Sequence, residues 1–163
     1  MMDRDGSNAQ FIAAMERLEW NGSGSWSHDG TRIAFDASTQ KYGNGENHVI
    51  VRAVQGAVHL DIGLGSAPVW SPDDSQIAFM IKESEGDELQ HGIWIADTDG
   101  TNRKYICPGY RPCWSPDGKS IVYSDPQSGR NDLFIRNLAT GEEKKILDKG
   151  YRSIPGASFS PDG

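Results

Sequence analysis

One short phrase recurs four times along this 163-residue chain at almost constant spacing. It reads Trp26-Ser-His-Asp-Gly30, Trp70-Ser-Pro-Asp-Asp74, Trp114-Ser-Pro-Asp-Gly118 and Phe159-Ser-Pro-Asp-Gly163, with steps of 44, 44 and 45 residues. A repeat of that length is one supersecondary unit that cannot bury its apolar face alone, and periods in the forties mark four-stranded propeller blades. The repeat therefore predicts an all-β fold, a β-propeller of four-stranded antiparallel blades.

An apolar run follows each of the first three copies: Ile33-Ala-Phe35, Ile77-Ala-Phe79 and Ile121-Val-Tyr123. The distance from Trp to Ile is seven residues each time. A strand, a tight turn and a second strand account for that spacing. In Ser-Pro-Asp-Gly the proline presets φ, the aspartate accepts from nearby backbone amides, and the glycine takes the left-handed conformation that closes the hairpin. Asp74 stands where glycine is expected and His28 where proline is expected, two departures that should weaken the turn slightly. Asp29, Asp73, Asp117 and Asp162 thus recur as turn residues. Trp26, Trp70, Trp114 and Phe159 recur as packing residues between adjacent blades near the axis.

Third strands are expected at His48–Arg52, Ile93–Asp97 and Leu133–Asn137, and fourth strands at Ala57–Asp61, Arg103–Cys107 and Lys144–Leu147. With strands A to D running outward from the axis, the blades fall at 23–65, 66–110 and 111–155. Residues 1–22 supply the end of a preceding blade and a connection, because Asp3–Ile12 aligns with Asp97–Ile106 at five identical positions in ten. Residues 156–163 supply the first strand of a following blade. Three complete blades with partial blades at both ends leave two strands without blade-mates, and unpaired edges invite association. A homodimer that completes a composite blade is the expected outcome.

The Trp-Ser-Pro-Asp-Gly-x-x-Ile-Ala-Phe phrase resembles the PD40 repeat, the WD40-like unit of TolB-like propellers, and the Asp-x-Asp-Gly-x-Asn turn before strand D is similar to the same repeat. The resemblance covers essentially the whole chain. It implies a docking surface for a protein or peptide partner, since TolB, a periplasmic protein of the Tol–Pal envelope system, uses its propeller in that way. Similar repeats occur in gating propellers of prolyl-oligopeptidase-type and tricorn-type peptidases and in oligogalacturonate lyase, so the fold does not fix the activity.

Composition narrows the partners. The net charge is −7 with no basic run, which speaks against nucleic acid. No apolar run approaches 18 residues, so no membrane-inserted helix is expected. The polar, acidic start Met1-Met-Asp-Arg-Asp5 does not read as a signal peptide, and the compartment stays open. Cys107 and Cys113 read as free thiols rather than a disulfide framework.

No Gly-x-Ser-x-Gly elbow, Walker A loop, His-Glu-x-x-His or Cys-x-x-Cys occurs, so no catalytic residue, metal site or cofactor is assigned. The B–C and D–A connections share one face and carry the longer, more variable segments, where function normally sits. His48 and His91 fall just before strand C in successive blades, with Asn131 and Asp132 at the third. The acidic run carrying Glu83, Glu85 and Asp87 lies on the same side and suits a basic partner. These seven residues are the candidate partner-binding set. A non-enzymatic binding module is the leading expectation. The propeller part of an enzyme and a truncated structural fragment are the alternatives.

Overall fold

A computed structural model describes residues 20–38, 46–55, 59–82, 89–125, 131–151 and 157–160. Among them twelve strands form three four-stranded antiparallel sheets, and no helix occurs. Blade 1 contains β1 (Trp20–Trp26), β2 (Arg32–Ser38), β3 (Asn47–Ala53) and β4 (His59–Leu64). Blade 2 contains β5 (Ser66–Trp70), β6 (Gln76–Ile81), β7 (Gly92–Asp97) and β8 (Lys104–Cys107). Blade 3 contains β9 (Tyr110–Trp114), β10 (Ser120–Asp125), β11 (Asn131–Asn137) and β12 (Glu143–Tyr151). Each sheet is a simple meander in which sequence neighbours pair. The fold is all-β with propeller blades, as the repeat requires.

The A–B turn is built alike three times. Ser27, Ser71 and Ser115 are buried, and each hydroxyl donates to the aspartate two residues on, at 2.6 Å. That aspartate also accepts from the amide of Thr31, Ser75 or Lys119. The serine oxygen in turn accepts from the amide of Arg32, Gln76 or Ser120 at 2.9 Å. Residues 30, 74 and 118 all take left-handed φ, at 69°, 58° and 69°.

The core lies between blades, not inside them. Ile77, Phe79 and Ile81 of β6 pack towards blade 1 with Val49, Val51 and Trp70. Ala78 on the other face of β6 joins Ile93, Ile95, Trp114 and Tyr123 towards blade 3. Alternation on a pleated strand thus serves two interfaces, which is why β6 is buried on both faces. Trp70 Nε1 donates to Ser25 O at 3.1 Å, and Trp114 Nε1 donates to Val69 O at 3.2 Å. Each acceptor is the residue just before the tryptophan of the preceding blade. Trp26 has no described blade on that side and is 41% exposed.

The fourth strand of blade 1 is described at His59–Leu64 and runs past the expected end at Asp61, while residues 57 and 58 lie outside the described residues. Arg103 of blade 2 explains the extension: Nη1 and Nη2 donate to Ile62 O and Leu64 O at 3.1 and 2.5 Å. The expected outer strand of a preceding blade at residues 9–13 lies outside the described residues.

Candidate functional site

The antiparallel meander places the A–B and C–D turns on one face and the B–C and D–A connections on the other. On that second face the inner strands do not run straight to their ends. Pairing between β5 and β6 slips between Ser66 and Val69, and pairing between β9 and β10 slips between Tyr110 and Cys113. At the slips Ala67 and Arg111 hold φ of 50° and 55°, the left-handed region that a β-carbon disfavours. A bulge of this kind re-aims side chains at a strand end.

The slips open a cavity of about 300 Å³ between the inner strands. Its wall is periodic. Ser23, Ala67 and Arg111 stand three residues before their tryptophans, and Gly24, Pro68 and Pro112 stand two before. Ala157, two before Phe159, continues the series. Asp36 of β2 and Lys82 after β6 complete the charged lining beside Arg111. Room for the carboxylate of Asp36 comes from Gly22, where a β-carbon would meet Asp36 Oδ2 at 2.5 Å. The cavity is an axial mouth with one anionic and two cationic side chains.

The residues singled out near strand C lie further from the axis. His48 Nδ1 lies 2.9 Å from both carboxylate oxygens of Asp61 on β4, within its own blade. Asp132 is buried, and Lys145 Nζ reaches its Oδ2 at 2.7 Å. His91 precedes β7 with Nε2 buried. Asn131 opens β11 opposite Tyr151. Glu83, Glu85 and Asp87 lie outside the described residues, as does Asp162. Among the described residues no three His, Cys, Asp or Glu side chains converge as a metal site. Phe159 is described and half-buried.

Cys107 is buried and Cys113 half-buried, and both are free thiols. Burial pushes the Cys107 thiol up to about 11, so it stays protonated. Tyr123 donates a short hydrogen bond to Glu143, and burial first, then that bond, raises its phenol. Tyr123 and Glu143 both belong to blade 3, and Cys107 of blade 2 packs in the same apolar cluster as Tyr123.

Sequence reasoning missed Asp36, Lys82 and Arg111. The signal was present as variation inside a fixed repeat: Ser, Ala and Arg alternate at one offset while the tryptophan three residues on does not change.

No protein-family model matches the sequence, and no curated protein matches it. Solved structures do. TolB from Acinetobacter baumannii superposes with a TM-score of 0.79 at 19% identity, covering 99% of this chain and 40% of that one. The fold is a TolB-like β-propeller. Oligogalacturonate lyase from Vibrio parahaemolyticus matches at a TM-score of 0.68 and 17% identity, over 89% of this chain and 46% of that one. The β-propeller domain of the Trilobed protease from Pyrococcus furiosus, described as having an open velcro topology, matches at 0.64 and 18%, over 82% and 44%. The chain therefore spans less than half the length of each of these proteins.

Proposed function

We propose that this TolB-like propeller is a binding module that holds a protein or peptide segment at the axial mouth on its B–C and D–A face. The supporting observation is the periodic lining itself. Rigid inner strands fix the wall, while the positions facing the cavity carry Ser23, Ala67 and Arg111, with Asp36 and Lys82 beside them. Variable polar groups on an invariant frame suit recognition better than chemistry. His48 at the start of β3 and His91 just before β7 stand at the same end of their blades and extend the proposed contact; Glu83, Glu85 and Asp87 lie outside the described residues.

Selection of displayed peptides on the full chain tests the reading. Selected binders whose acidic groups face Arg111 and Lys82 should lose at least tenfold in affinity against an Arg111→Glu, Lys82→Glu variant, because like charges across an interface oppose association. Binders whose affinity is unchanged by both reversals would place recognition elsewhere.

A second reading is favoured by the likeness to a lyase and to the propeller domain of a protease. In that case the mouth would admit substrate to catalytic groups in another part of a longer protein. Hydrolysis or lyase activity of a longer protein that contains this chain, lost when the mouth is blocked and not shown by the 163-residue chain alone, would support it. We also propose that copies associate through the open face of blade 1, where Trp26 is exposed.

A further inference from the structure

The turn face, opposite the axial mouth, carries a pair of equivalent clefts that differ in one respect. Between blades 1 and 2 the chain fills the cleft itself. The guanidinium carbon of Arg32 lies 4.5 Å from the centroid of the Trp70 ring, and Arg32 Nη2 donates to Asp74 O at 3.3 Å. One repeat later the same positions hold Gln76, Trp114 and Gly118. Gln76 Nε2 donates instead to Asp97 Oδ1 at 3.3 Å, and Gly118 brings no side chain. A cleft of about 320 Å³ remains, lined by Pro72, Asp73, Trp114, Asp117 and Gly118 among others.

We propose that this second cleft binds a guanidinium group, the arginine side chain of a basic peptide segment, in the place that Arg32 occupies one blade earlier. The filled cleft shows the occupant chemistry. Tryptophan is the best aromatic partner for a cation, and the planar guanidinium stacks on it better than an ammonium does. Asp73 and Asp117 add two carboxylates whose turn bonds all fall on Oδ1, and Asp117 Oδ2 has only a long, exposed pairing with Lys119 Nζ at 3.9 Å, which a stacked guanidinium can outcompete. Charge-assisted bonds to a guanidinium are the strong ones. The net charge of −7 draws a basic segment towards the surface. The site stands apart from the axial mouth, so either can fail without the other.

Indole resonances of the full chain, titrated with N-acetyl-arginine amide and with the lysine counterpart, test it. The arginine probe should shift the Trp114 Nε1–H signal with a dissociation constant on the order of millimolar and leave that of Trp70 in place. The lysine probe should bind several-fold more weakly. Gln76→Arg should fill the cleft from within and abolish the Trp114 response. Arg32→Ala should open the first cleft, so that Trp70 begins to respond. An unresponsive Trp114, equal response to both probes, or undiminished binding by the Gln76→Arg variant would overturn the proposal.

Discussion

His28 and Asp74 are the two residues at which the turn phrase departs from its own pattern, and they meet. Asp74 accepts from the amide of His28 at 2.7 Å and from that of Asp29 at 2.9 Å, with the His28 ring 3.3 Å away. A proline at 28 would have no N–H to give. One blade later, Pro72 Cδ lies 3.7 Å from where a β-carbon on Gly118 would be. Proline with glycine and histidine with aspartate are therefore alternative ways to close one contact, and the weakening expected from each departure alone is offset by the other. His28→Pro and Asp74→Gly should each cost about 1 kcal/mol, while the double variant costs little more than either single change. Denaturant unfolding of the four proteins measures the coupling. Strictly additive losses would mean that the contact contributes nothing.

The turn carboxylates carry a second consequence at the same scale. The Ser27 hydroxyl, then the Thr31 amide and hydroxyl, hold Asp29 down to about 2. The Ser71 hydroxyl and the Ser115 hydroxyl lead the lowering of Asp73 and Asp117. A carboxyl whose folded value lies below its unfolded one stabilises the fold above the unfolded value, and the gain is lost as pH falls through the folded value. Stability should therefore fall between about pH 4 and pH 2. Asp29→Asn and Asp117→Asn together should flatten that slope in thermal melts recorded across the window.

At the scale of elements, the chain enters β5 and β9 over a glycine backbone with no room for a side chain. A β-carbon on Gly109, at φ 137°, would stand 2.5 Å from Tyr123 Cδ2. Tyr123 is 2% exposed and held by Glu143, so it cannot swing aside. Gly109→Ala should cost roughly 2 kcal/mol or more, from overpacking added to left-handed strain, and should lower the denaturant midpoint without changing its slope. The local half of this architecture was written in the sequence. The seven-residue step from Trp to Ile is a hairpin whatever lies around it, and the pairs Trp26↔Ile33, Trp70↔Ile77 and Trp114↔Ile121 follow from it. The limits of β4 were not legible, because Arg103, some forty residues on, decides where that strand ends. The axial mouth was hidden for a similar reason. Bulges at Ala67 and Arg111 come from packing of the inner strand ends, and neither Ala nor Arg advertises a left-handed backbone.

For the molecule as a whole, the decisive quantity is how each blade face is covered. Trp70 and Trp114 are 3% and 8% exposed because the blade before each supplies both apolar contacts and a carbonyl acceptor. Trp26 occupies the same place in β1 and is 41% exposed. An aromatic left 41% exposed forgoes on the order of 1 kcal/mol of burial. A second copy can recover this by placing a sheet against β1, which is the physical content of the proposed association. Light scattering on the full chain should then return twice the chain mass, and emission from Trp26 should shift to the blue as concentration rises. Trp26→Ser should shift the equilibrium towards single chains while leaving the far-ultraviolet spectrum unchanged, since Trp26 packs against no described blade. A mass equal to one chain across the concentration range, with Trp26 emission fixed at the solvent-exposed wavelength, would rule the association out.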